Sequence, residues 1–342
     1  MIKDSWIISL LLSEFISLVL IFSAAILAIR IARKWNISSS AKEQLVLERK
    51  SYLVSTIMMY VFSFEMVSMW LFVIIVNDHL PPIIKGAMCG TGSLNANQFG
   101  WIVLDLKSAE FVFLALWLIL HHLDRKIPEY PLTREKNIFL LLLAPLVCIA
   151  FTIEALYFST INPNIITTCC SITFDTTAAG SSSVGIFSAI PEGIIVRMFY
   201  GLSVAALMTD GLVLYSKRWM RTTGYVLAPI TGVAHFIIVF LAIVHHYAKY
   251  IYGMPNHHCP FDMLWKEYYF VGYLIYALLF LSVISSLSIC VTGLARRKQV
   301  IRFEATSLSR KAAIWNAGST VALFVLLVCV EWIWNATALQ IQ

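Results

Sequence analysis

The chain has 342 residues, of which 59% are hydrophobic and only 13% charged, about half the roughly one-quarter charged content of a soluble domain. So few charges cannot coat a water-soluble globule, and so many apolar residues exclude a disordered chain, a disulfide-packed miniprotein and a soluble nucleic-acid binder. The net charge of +6 is gathered in a few short segments, so it implies no nucleic-acid partner.

Eight stretches reach the ~20 mostly apolar residues that cross a hydrocarbon core: approximately 6–29, 52–76, 101–122, 137–160, 190–215, 225–248, 268–294 and 313–338. They are continuous and lack period-two alternation, which favours helices over a barrel. The expected fold is all-α, a polytopic integral membrane helical bundle of about eight transmembrane helices forming one domain over 1–342. Its immediate partner is the lipid bilayer.

Most Lys and Arg residues fall in four connections. These are 30–50, 123–136, the turn with Lys217, Arg218 and Arg221, and 296–311. The positive-inside rule assigns all four to the cytoplasm and both termini to the opposite side. The expected location is a bacterial inner membrane with N- and C-termini periplasmic. The first span is too long for a signal-peptide core, and its basic residues follow it, so it reads as a retained helix.

The other three connections, 77–100, 161–191 and 249–268, then lie outside. They hold Cys89, the Cys169–Cys170 pair and Cys259, whereas Cys148, Cys290 and Cys329 lie within spans as packing residues. Three chemistries remain open. Disulfides suit an oxidising compartment, and would join Cys89 and Cys259 to one each of Cys169 and Cys170. A soft-metal site could gather Cys89, Cys169, Cys170, His257, His258 and Cys259, supplemented by Met88 and Met254, since thiolate, imidazole and thioether donors suit copper(I) and, less selectively, zinc. Thiol–disulfide exchange is the third, although in Cys259-Pro260-Phe261-Asp262 an aspartate stands where a resolving cysteine would be. Haem is disfavoured: no C-x-x-C-H occurs, and His235 is the one mid-membrane histidine.

Ionisable groups within spans tend to face a bundle interior or a wet cavity. Glu65, Asp105, Lys107, Glu110, Glu154, Glu192, Arg197 and Asp210 form the expected intramembrane charge path for a cation or proton. Lys107 and Glu110 are three residues apart and can pair on one helix face. Arg197 has Glu192 within reach.

No P-loop, Rossmann glycine pattern, H-E-x-x-H or G-x-S-x-G occurs, and no connection is long enough for a catalytic domain. The segment MCGTGSLNAN (88–97), the paired cysteines and HCPF (258–261) resemble an uncharacterised bacterial family of polytopic membrane proteins. That resemblance implies an association with copper-chaperone lipoproteins and ABC-type exporters. The expected function is handling or transport of a soft metal ion, copper before zinc, with a periplasmic or ATPase subunit as partner. The alternatives are a structural or electron-transfer subunit with disulfide-stapled loops, and a membrane thiol–disulfide oxidoreductase.

Overall fold

The computed structural model describes residues 4–35, 42–167, 190–215, 218–254 and 257–339. These residues form helices, turns and loops, with no strand among them. The eight long helices are α1 (Ser5–Lys34), α2 (Lys42–Ile74), α3 (Gly100–Arg125), α4 (Thr133–Thr160), α5 (Glu192–Leu214), α6 (Arg218–Ala242), α7 (Val271–Ala295) and α8 (Arg302–Leu339).

Seven of the eight are long and apolar enough to cross a membrane; α3 is the exception. It has the length, 26 residues or about 39 Å, but its middle carries Asp105, Lys107 and Glu110. Several helices also outrun the expected spans. The stretch 42–51, expected in a basic loop, is the first part of α2, and 302–312 opens α8. Lys, Glu, Gln and Leu are good helix formers, so the backbone stays helical where hydropathy has already fallen.

The chain divides into two compact units. Unit one comprises 1–79, 94–163 and 294–306; unit two comprises 80–93, 164–293 and 307–342.

In unit one, α1 packs on α2 and α4, and α3 packs on the same two helices, closing a four-helix ring. Helix α1 shows how the ring is built. Leu12, Val19 and Ile26 point outward and are 52–60% exposed, while Glu14, Ser17, Ala24 and Ala28 are buried. An apolar exterior over a partly polar interior is the reverse of a soluble bundle, and it suits lipid. The small residues Ala24, Ala25 and Ala28 let α1 approach a core of Met58, Val61, Trp117, Leu140 and Val147. At the N-terminus, the Asp4 carboxylate accepts a hydrogen bond from Trp6 N at 2.9 Å, capping exposed backbone donors.

In unit two, the core takes Ile195 and Phe199 from α5, Val239 and Ala242 from α6, Ile275 and Leu279 from α7, and Leu323 and Leu327 from α8. Phe199 stacks on Phe324 at 5.8 Å and meets Tyr247 edge-on at 5.6 Å. Helix α6 continues through a π-helical turn, Ile243–Tyr247, into a short helix, Ala248–Tyr252. A second π turn, Ile75–His79, ends α2. Such turns shift the register of the side chains beyond them. Gly253, at φ +67°, then ends the Ala248–Tyr252 helix and turns the chain into the next loop.

Candidate functional site

The first of the three cysteine-bearing connections folds as a turn over 80–89 and a short helix, Gly90–Leu94. The third passes from Gly253 to Phe270 through two 3-10 turns, Asp262–Leu264 and Lys266–Tyr268. Within unit two these segments meet. A Cβ added to Gly90 would stand 2.7 Å from Phe261 Cγ, so only glycine admits this approach. The contact puts Cys89 and Cys259, neighbours of Gly90 and close to Phe261 in sequence, beside each other.

Cys89 Sγ, Cys259 Sγ and a carboxylate oxygen of Asp262 all lie within 4.8 Å of one another, and all three residues are buried. The Cys259 thiol donates to Asp262 Oδ1 at 3.3 Å and lies 3.5 Å from Thr91 Oγ1. His257 Nε2 is 2.6 Å from Asp262 Oδ2, so both carboxylate oxygens are engaged. Two tyrosines fix the loop. Tyr252 donates to Cys259 O at 2.5 Å and accepts from Met263 N at 2.9 Å; Tyr276 donates to Pro260 O at 2.5 Å. The His257 ring packs edge-on against Tyr252 at 4.6 Å.

The expected donors thus separate. Cys89 and Cys259 come together, and His257 stands one hydrogen bond behind Asp262. His258 turns away, its Nδ1 2.9 Å from Val244 O. Met88 is 78% and Met254 44% exposed, and neither joins the cluster. Cys169 and Cys170 lie outside the described residues, as does their expected bridging to Cys89 and Cys259. Among the described residues no disulfide joins two cysteines. Asp262 stands where the sequence lacks a second cysteine, and it joins the two sulfurs. The signal that finds it is the C-x-x-D spacing, which a 3-10 turn folds back on Cys259 as it would a C-x-x-C pair.

The charged residues form separate groups. In unit one, Lys107 Nζ lies 2.5 Å from Glu14 Oε1, 3.0 Å from Glu154 Oε2 and 2.9 Å from Ser68 Oγ. Ser68 also donates to Glu14, and Ser17 donates to Glu65. Lys107 therefore turns to other helices rather than to Glu110, its expected partner. Glu14 is central to the group. Asp105 is exposed.

The other members of the expected path belong to unit two. Glu192 Oε1 holds His246 Nδ1 and Lys249 Nζ, each at 2.5 Å. Both oxygens of Asp210 accept from Asn316 Nδ2, at 3.1 and 2.9 Å. Arg197 is exposed and bonds Gly193 O on its own helix at 3.0 Å, not Glu192.

Comparison with known family models, characterised proteins and solved structures finds no match to this chain. Any function therefore rests on the geometry of these groups.

Proposed function

We propose that the chain is a bacterial inner-membrane protein that handles a thiophilic metal ion at its outer face, in a site built from Cys89, Cys259 and Asp262. Eight helices span the bilayer in this reading, α3 among them with Lys107 and Glu110 turned inward, and both termini are periplasmic. The basic ends of the helices, at 30–50, 123–136 and 296–311, support that orientation.

The observation that carries the reading is the packing of three ligand atoms, from two separate connections, within 4.8 Å of one another. Tetrahedral zinc with Zn–S bonds of about 2.3 Å sets its sulfurs about 3.8 Å apart, so only a small closure is needed. Binding would release the thiol protons, and His257 would orient the Asp262 carboxylate from behind. Two thiolates suit copper(I) and zinc alike, but a carboxylate beside an imidazole favours zinc. With Met88 and Met254 outside the cluster, the thioether donors that favoured copper are missing. Zinc is accordingly the leading ion. Cys169 and Cys170 are retained as further donors because Thr167, two residues before them, lies against Gly86 and Gly92 of the first connection.

The test is metal content after dialysis of reduced, purified protein against zinc and against copper(I). One ion per chain is expected, lost in Cys89→Ser with Cys259→Ser and weakened in Asp262→Asn, with Cys169→Ser and Cys170→Ser measured in parallel. Unchanged stoichiometry in the Cys89/Cys259 double variant overturns the proposal.

A second reading rests on the same two sulfurs. A dithiol this close can exchange with an external disulfide, forming a Cys89–Cys259 bond and releasing two thiols. Protein isolated without reductant, two hydrogens lighter and free of metal, would favour this reading.

A further inference from the structure

The core of unit one carries a separate site, independent of the metal reading. Each helix of the ring contributes one glutamate: Glu14 from α1, Glu65 from α2, Glu110 from α3 and Glu154 from α4. The one base among them is Lys107. None of the five side chains is more than 5% exposed, and Lys107 Nζ also sits 5.7 Å from the Phe72 ring centre. A single ammonium among four carboxylates would leave a large uncompensated negative charge in a medium that solvates it poorly.

The donors are unevenly shared. Lys107 donates to Glu14 and stands 3.0 Å from Glu154 as an ion pair only, Ser68 also serves Glu14, and Ser17 serves Glu65. Glu110 is 1% exposed, and neither of its carboxylate oxygens has a hydrogen-bond partner. It faces Glu14 on α1, Glu65 on α2, Lys107 on its own helix and Glu154 on α4, all within electrostatic range. A buried carboxylate with no donor is far costlier than the neutral acid.

We infer that the glutamate ring of unit one is a proton-binding centre, in which Glu110 carries an exchangeable proton and Lys107 is the fixed counter-ion. The bound species is a proton rather than a metal ion because Lys107 Nζ already occupies the position between Glu14 and Glu154 that an inorganic cation would take. Protonation of Glu110 removes one negative charge without moving a side chain, and deprotonation restores it. The site can therefore hold and release charge inside a closed bundle.

The test uses the full chain in nanodiscs of phosphatidylcholine. Infrared difference spectra across a pH titration should show the carbonyl stretch of a protonated, buried carboxyl group at neutral pH. The band should shift in heavy water and be lost in Glu110→Gln. A neutral-pH spectrum without the band, or one that Glu110→Gln leaves intact, overturns the inference. A second measurement needs no variant. A hydrophobic carbodiimide, which reacts with protonated carboxyls in membranes, should label Glu110 in the wild-type chain, less so at alkaline pH. Peptide mapping that finds no adduct on Glu110 overturns the inference. So does stoichiometric manganese binding that blocks the label. Since Cys89 and Cys259 play no part here, their serine variants should leave band and label unchanged.

Discussion

Gly90 and Phe261 sit so close that any side chain on Gly90 would overlap the ring: a Cβ there would stand 2.7 Å from Phe261 Cγ and 3.0 Å from Cδ2. Cys89 and Cys259 flank this contact. Gly90→Ala should force the two connections apart, at about 1–3 kcal/mol, the usual cost of overpacking a core. A short bifunctional thiol reagent should bridge Cys89 and Cys259 readily in the parent and several-fold more slowly in the variant. Equal bridging rates would mean that the glycine does not govern the approach.

Lys107 is the sole ammonium among four buried carboxyl groups, so its loss should be severe. Lys107→Met is expected to destabilise unit one by about 3–5 kcal/mol, the cost of stranding the partner of a buried pair. Adding Glu14→Gln should recover part of it, since Lys107 and Glu14 then leave together. Thermal unfolding in detergent, followed for the parent, both singles and the double, reads the coupling directly. Strict additivity would contradict the ion pair.

Asp124 ties the connection from α3 to α4. It is wholly buried and accepts from Leu132 N at 2.7 Å, Thr133 Oγ1 at 3.1 Å and Lys136 Nζ at 2.8 Å. Asp124→Asn keeps the shape but presents an amide where donors converge. A loss of about 2–4 kcal/mol is expected, by analogy with breaking buried charged networks. Faster amide exchange over 126–136 should accompany it. Unaltered exchange would show that the connection is held by its other contacts.

Asp4 couples the start of α1 to the end of α2. Its carboxylate lies 2.8 Å from His79 Nε2. This hydrogen bond, opposed in part by burial, holds the Asp4 pKa below its ordinary value of 3.8. A depressed carboxylate pKa contributes stability in full above the unfolded value, and that contribution fades as pH falls from there through the folded value. Amide exchange in the first turn of α1 should therefore accelerate on acidification below about pH 4, where an unfolded aspartate takes up its proton. In Asp4→Asn the same turn should exchange faster near neutrality and lose most of its acid dependence.

All eight long helices among the described residues are legible as apolar stretches, because about 20 mostly hydrophobic residues in a row have few other uses. Hydropathy is blind to the first ten residues of α2, since KEQLVLERKS is polar yet strongly helix-forming. Charges were legible as residues out of place but not as partners. Lys107 and Glu110 share a helix face, yet Lys107 meets Glu14, 93 positions away. Helix rotation decides that pairing, and spacing along one helix does not carry it. The cysteines stood out by type. Asp262 shows in the sequence only as a C-x-x-D spacing, whose meaning depends on the 3-10 turn after Cys259. His258 and Met254 matched the donor chemistry, but their backbone directions carry them elsewhere.

The polar middle of α3 bears on how such a chain is assembled. Taken singly, a helix carrying Asp105, Lys107 and Glu110 partitions poorly from the translocation channel into lipid. Glu14 and Ser68 emerge from the ribosome earlier, on α1 and α2. If α3 enters the bilayer, their presence would turn an unfavourable step into recruitment by waiting partners, and the order of assembly would follow from these charges.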